Sequence, residues 1–240
     1  MKILITRSQS MNENTAAVLV ALGHEPIECP LVEIVDTGTS IPVADFSGVI
    51  FTSQAAMEIL SEREKAGGLL SRSLKVFAVG ERTAEQARTL GFTDVIAGES
   101  NVDGLMELIN KSDCQKPLLY LAGVDRAMEL AGAAAEIVLV EIYQAQLLDP
   151  GKGRLQVALD GVSDGCAFLH SVRTTCHLFE LISQHNLEKC IVNVAFIAIS
   201  KKVANAVASE LSLPVLIAHQ PSQLAMIDLV EEVKTLGPAG

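Results

Sequence analysis

The chain has no tryptophan, and aromatic residues make up only 4% of its 240 residues, so it offers no row of rings on which single-stranded nucleic acid could stack. It is also short of positive charge. Its 18 Lys and Arg stand against 29 Asp and Glu, and a net charge of −11 is the wrong sign for coating nucleic acid or an anionic membrane. The five cysteines (Cys29, Cys114, Cys166, Cys176, Cys190) are odd in number, and no two stand at the two-residue spacing of zinc and redox sites. They read as reduced, partly buried residues of a cytoplasmic protein. No apolar run approaches the length of a membrane span, and the run AAVLVALG (16–23) follows a strand-like segment rather than a basic leader, so no targeting signal is read. Glycine-rich phosphate loops, a Gly-x-Ser-x-Gly elbow and a His-Glu-x-x-His helix are all missing, and the five histidines lack ligand spacing, so no metal or nucleotide site is expected.

What the chain does have is a regular alternation. Short runs rich in Val and Ile are each followed by a polar break and a stretch with helical spacing. KILIT (2–6) precedes a helix at 12–22, SGVIFTS (47–53) one at 54–65, VFAVG (76–80) one at 83–90, and LLYLAG (118–123) one at 125–132. CAFLHS (166–171), VAFIAIS (194–200) and VLIAH (215–219) continue the pattern. Continuous apolar strands separated by helices predict an α/β fold with parallel sheets covered on both faces.

The alternation also repeats at long range. FTSQAAMEIL from Phe51 resembles FLHSVRTTCHLF from Phe168, and VFAVGERTAEQARTLGF resembles FIAISKKVANAVASELSL. VIAGESNVDGLMELI resembles LIAHQPSQLAMIDLV, and the three offsets all lie near 120 residues. Both copies contain the tetrapeptide LVEI, at 31–34 and 139–142, where the chain would pass from one lobe to the other. Two crossings predict an internal duplication with a discontinuous first lobe, residues 1–34 plus 150–240, a second lobe of 35–149, and a two-stranded linker joining them. One large doubly wound sheet is the alternative.

In open parallel sheets, ligands bind beyond the carboxyl ends of the strands, where helix N-termini present free amides. The segments at those ends are Thr6-Arg7-Ser8, Thr52-Ser53-Gln54, Gly80-Glu81-Arg82-Thr83, Ala122-Gly123-Val124-Asp125-Arg126, His170-Ser171-Val172-Arg173 and Ser200-Lys201-Lys202. They are small, hydroxylated or basic, and they hold six of the 18 basic residues. Facing mouths of this kind would bind an anion, although each Ser and Thr taken singly reads as a helix cap. Of the two tyrosines, Tyr120 lies within LLYLAG and reads as core, while Tyr143 follows a crossing strand and has a hydroxyl able to reach a cleft.

The ordered set KILITRS, IFTSQAA, FAVGERTAEQARTLGF, LYLAGVDR, VLVEIYQ, FLHSVRT, FIAIS and HQPSQLAMIDLV resembles the uroporphyrinogen-III synthase family over essentially the whole chain. The resemblance implies two flavodoxin-like lobes and a cofactor-free lyase, acting as a monomer. Linear hydroxymethylbilane loses water and closes with inversion of its last ring, through a spirocyclic intermediate. It implies a catalytic role for Tyr143, a phenol that donates a hydrogen bond or proton to the departing hydroxyl. Thr83 matches a family threonine, Ser53 a serine contact, and Arg7 the arginine of the family's Thr-Arg-Pro opening. Arg82, Gly123, Arg126, Ser171, Arg173, Ser200 and Lys201 complete the expected substrate-binding set. The chain departs from the family pattern at Ser8, His170, Ser200 and Val203, where Pro, Thr, Gly and Thr are usual. A transient contact with hydroxymethylbilane synthase is a further implied partnership. A two-lobed binding or sensor module that closes on an anionic metabolite without chemistry is the alternative.

Overall fold

The structure, a computed structural model, describes residues 1–65, 70–98, 101–112, 114–125, 130, 135–207 and 215–236. The chain begins with β1 (Lys2–Ile5), α1 (Gln9–Ala21), β2 (Glu25–Glu28) and β3 (Val32–Asp36). It continues through β4 (Gly48–Phe51), α2 (Gln54–Glu64), β5 (Lys75–Val79), α3 (Glu81–Thr89), β6 (Val95–Gly98), α4 (Val102–Lys111), β7 (Leu118–Gly123) and β8 (Ile137–Leu147). It ends with α5 (Lys152–Gly161), β9 (Cys166–Leu169), α6 (Val172–His185), β10 (Ala195–Ala198), α7 (Lys201–Asn205), β11 (Val215–Ile217) and α8 (Gln223–Leu236), with a 3-10 turn at Glu188–Ile191. The helix expected at 125–132 falls almost wholly outside the described residues.

Two compact units result, Met1–Glu33 with Gln146–Gly240, and Ile34–Ala145, so the division falls inside β3 and β8. The first unit holds a five-stranded sheet in the order β11-β10-β9-β1-β2, with parallel pairings throughout. Counted from β1 this is the flavodoxin-like order 2-1-3-4-5. The second holds a six-stranded sheet, β3-β8-β7-β4-β5-β6, in which β4 to β8 pair in parallel. Counted from β7, it has the same order with β3 added outside β8. One large sheet is thereby excluded. β3 and β8, the two crossing segments, are neighbours within the second sheet.

Alternation of side chains across each pleat explains why the strands are apolar without a break. In β1, Ile3 and Ile5 pack with Leu19 of α1 and Met226 and Val230 of α8, whereas Leu4 packs on the opposite face with Leu155, Leu178 and Ile182 of α5 and α6. In β4, Val49 and Phe51 meet Met57 and Leu60 of α2 and Ala84 and Ala87 of α3, while Ile50 meets Leu105 and Ile109 of α4. Full burial of one such side chain contributes about 1.5–3 kcal/mol.

Polar residues set the helix starts. Helix α1 begins at Gln9, three residues before the sequence expectation. The reason is Asn12, which is wholly buried, accepts from the Arg7 backbone N–H at 2.9 Å and donates to the Ile5 carbonyl at 3.2 Å. This clip fastens the end of β1 to the first helical turn. Ser53, Asn101, Ser171 and Ser200 cap α2, α4, α6 and α7 through side-chain oxygens. Helix α3 instead starts from Gly80 at φ 75°, a backbone conformation that a side chain would strain. Among the described residues, no helix is long and apolar enough to cross a membrane.

Candidate active site

The carboxyl end of β4 runs into Thr52 and Ser53, and that of β7 ends at Gly123. Strand β8 lies beside β7, with Leu121 opposite Val140 and Ala122 opposite Glu141, but Gly123 opposite Tyr143. The ladder thus skips Ile142, and this irregularity re-aims the next side chain. Ile142 stays in the core, while Tyr143, still within β8, emerges half-buried beside Gly123 at the carboxyl end of β7.

Two contacts fix the Tyr143 phenol. Its hydroxyl lies 2.8 Å from Ser53 Oγ, which also accepts from the Ala56 backbone N–H at 3.4 Å as the cap of α2. Its ring lies over Gly123, where a Cβ would stand 2.6 Å from Cε2 and Cζ and 2.9 Å from the hydroxyl oxygen. Only glycine leaves this room, so in the structure Gly123 serves as the floor beneath the ring. The Val124 N–H donates to the Tyr143 carbonyl at 2.9 Å, which ties the backbones together beyond the last sheet bond. Thr52 Oγ1 lies 3.0 Å from the hydroxyl of Tyr120, a buried residue packed with Ile50 and Leu105 as the sequence predicts. Consecutive hydroxyls after β4 therefore hold the chain's two tyrosines.

Arg63 of α2 braces the Tyr143 segment. Its Nε donates to Asp36 Oδ2 at 2.8 Å, Nη1 to the Thr39 carbonyl at 2.6 Å and Nη2 to the Ile142 carbonyl at 3.4 Å, with a further ion pair from Nη2 to Asp36. The Arg63 hydrogen bond holds the Asp36 carboxyl below its ordinary range. Thr37 adds a bond from Oγ1 to the Glu141 carbonyl at 2.7 Å. Sequence reasoning did not single out Arg63. Its partners lie 24 to 79 residues away and no local pattern marks it.

On β5, the neighbour of β4, the end leads to Arg82 and Thr83 in the first turn of α3. Arg82 is exposed, while Thr83 is buried with only 5% of its surface accessible. The structure therefore brings Tyr143, Ser53 and Gly123 into one cluster and places Thr83 and Arg82 at an adjoining strand end. Arg126 lies outside the described residues.

The remaining candidates belong to the first unit. Arg7 follows β1, Ser171 and Arg173 follow β9, and Ser200 and Lys201 follow β10, all at carboxyl ends. Ser171 Oγ accepts from the Thr174 N–H at 3.1 Å and donates to Thr174 Oγ1 at 2.9 Å, and Ser200 Oγ accepts from the Val203 N–H at 3.4 Å. Arg173 and Lys201 are exposed, and Arg7 is half-buried. His170 sits edge-on to Phe168 with both ring nitrogens shielded and without a hydrogen-bond partner. Burial, reinforced by the Arg7 charge, pushes its pKa down from 6.5 to about 3, so the imidazole is neutral. No sequence pattern signals that shielding. Among the described residues, no group of three or more His, Cys, Asp or Glu could hold a metal ion.

The chemistry available at the Tyr143 cluster is hydrogen-bond donation by a phenolic hydroxyl, beside the amino terminus of α2 that Ser53 caps and that favours negative charge. Against this geometry, a family model described as "Uroporphyrinogen-III synthase HemD" matches residues 13–228. A protein of Archaeoglobus fulgidus named "Putative uroporphyrinogen-III synthase" is 25% identical over 215 residues, covering 88% of this chain and 89% of its own. The crystal structure of uroporphyrinogen-III synthetase from Helicobacter pylori is similar with a TM-score of 0.64 at 19% identity, over 86% of this chain and 92% of that one. A mutant uroporphyrinogen-III synthase from Thermus thermophilus is similar with a TM-score of 0.50 at 15% identity, over 98% and 99% of the two chains.

Proposed function

The chain belongs to the uroporphyrinogen-III synthase family, and from that premise we propose that it closes hydroxymethylbilane to uroporphyrinogen III with loss of water and inversion of the last pyrrole ring. The observation that carries this reading to particular atoms is the Tyr143 phenol, held by Ser53 and Gly123 at the carboxyl end of a parallel sheet. In the proposed step, the hydroxymethyl C–O bond breaks as the Tyr143 proton passes to the departing oxygen. Water leaves, the pyrrole carries the positive charge, and the phenolate keeps the O–H electron pair. Carbon–carbon bond formation then gives the spirocyclic intermediate. Rearrangement completes the ring, and the proton released on rearomatisation restores the phenol. The proposal assigns no metal or cofactor to these steps.

Ring closure without inversion needs no catalyst, so the protein's task is to hold one folded conformer while the hydroxyl departs. We assign the substrate carboxylates to amides at the amino termini of α2 and α3 and to Arg82, and name Arg7, Ser171, Arg173, Ser200 and Lys201 as further contacts. Each such interaction contributes about 0.3–2 kcal/mol. Action as a monomer, and transient contact with the enzyme that supplies hydroxymethylbilane, belong to the same proposal. The test is to feed purified protein with freshly generated hydroxymethylbilane and separate the products, after oxidation, by chromatography. The inverted isomer, formed faster than spontaneous closure, is expected. The non-inverted isomer alone would overturn the reading and leave a binding module that closes on its ligand without chemistry.

A further inference from the structure

We propose that Ser53 is a positioning residue that sets the direction of the Tyr143 hydrogen bond, donating its own proton to the phenol oxygen so that the phenol proton points to the reacting hydroxyl. The inference rests on Tyr143 being the proton donor of the proposed reaction. Two hydroxyls 2.8 Å apart share a single hydrogen between their oxygens, so one donates and the other accepts. Were the phenol the inward donor, its proton would be tied up and Tyr143 could not assist the departing hydroxyl.

The surroundings of Ser53 select the productive direction. Its oxygen already accepts the Ala56 N–H at the head of α2, a helix of 11 residues. An oxygen that accepts a bond is polarised toward donating its own proton, so hydrogen bonds running in one direction strengthen one another. The ordered chain is therefore Ala56 N–H to Ser53 Oγ, Ser53 O–H to the Tyr143 oxygen, and Tyr143 O–H outward. The neighbouring hydroxyl cannot substitute, because Thr52 Oγ1 is engaged with Tyr120 at 3.0 Å. Among the described residues, Ser53 is the one hydrogen-bond partner of the Tyr143 hydroxyl. Gly123 completes the arrangement by letting the ring lie close enough for the bond to form.

The experiment is a double-mutant cycle on the full chain, with kcat, KM and the isomer ratio as readouts. Ser53→Ala is expected to lower kcat about tenfold or more, a part of the roughly 100-fold or greater contribution of a general acid, with little change in KM. In a Tyr143→Phe background the same substitution is expected to change nothing further, because the group it orients is gone. Ser53→Thr keeps both the cap and the hydroxyl and is expected to restore turnover. Ser53→Asp keeps the cap, and so guards against loss of folding, but it can only accept and pulls the phenol proton inward. Its kcat is expected to match that of Ser53→Ala. Multiplying effects in the cycle, or wild-type kcat in Ser53→Asp, would overturn the role of Ser53 while the inverted product of the wild-type protein still upholds the proposed reaction. Failure of the wild-type protein to form that product would overturn both.

Discussion

Gly123→Ala should leave the fold standing and remove most of the activity. The added Cβ would lie 2.6 Å from Cε2 and Cζ of Tyr143, against 3.4–4 Å for an ordinary contact, so the ring must withdraw by about 1 Å. Gly123 does not lie in the left-handed region, and its backbone accepts alanine without strain. The clash is relieved at the far end of a half-buried side chain, at a stability loss of about 1–3 kcal/mol typical of overpacking. The same movement carries the hydroxyl out of its 2.8 Å bond with Ser53, beyond the range in which a hydrogen bond survives. A displacement of about 1 Å at a reacting group lowers turnover on the order of 100-fold, equal to about 2.7 kcal/mol of transition-state stabilisation. Turnover and isomer ratio with freshly generated hydroxymethylbilane, read beside a thermal melt, check this. Gly153→Ala, where a Cβ meets nothing within 4 Å, is the control expected to behave as wild type. Wild-type turnover and isomer ratio in Gly123→Ala would refute the assignment of the ring's position to catalysis.

Tyr143→Phe removes a single hydroxyl bonded to Ser53, so the melting temperature should change little while kcat falls by about 100-fold or more. His170 is neutral in the folded protein, with a pKa of about 3 against an ordinary 6.5, so the unfolded chain binds the extra proton between those values. Stability should therefore fall as pH drops from 6.5 toward 3, by up to about 1.4 kcal/mol per pH unit. His170→Phe, which removes two unpartnered nitrogens, should flatten that slope in denaturant titrations at pH 5 and pH 7.5. Arg63→Met should cost about 1–2 kcal/mol and lower kcat by loosening the Ile142–Tyr143 segment. Because Arg63 depresses the Asp36 pKa, that contribution is present above the ordinary carboxylate value of 3.8 and lost as pH falls through the lower native value. The variant's stability should therefore depend less on pH in that range.

The sequence by itself determined the fold class and most of the strands. Apolar runs such as CAFL and GVIF, buried at every position, are consistent only with strands covered on both faces, and the polar breaks after them carry the caps that start the helices. It also marked which strand ends carry hydroxyls and bases, because that information is local. Ser53 and Gly123 could be named from their place at a strand end, whereas the role of Tyr143 came from the family resemblance, and the structure places that residue within β8 rather than after it.

Their association could not be read in advance, since Ser53 and Tyr143 stand 90 residues apart and meet only because β8 lies beside β7 and β7 beside β4. The skipped residue at Ile142, the ring lying on Gly123 and the Arg63 brace all depend on register across the sheet, which no single strand encodes. The burial of His170 likewise follows from its packing and not from its neighbours in the chain. Local chemistry was written in the sequence because caps and pleats act within a few residues. The geometry of the phenol belongs to the tertiary structure, because non-local pairing alone decides which atoms come within reach of its hydroxyl.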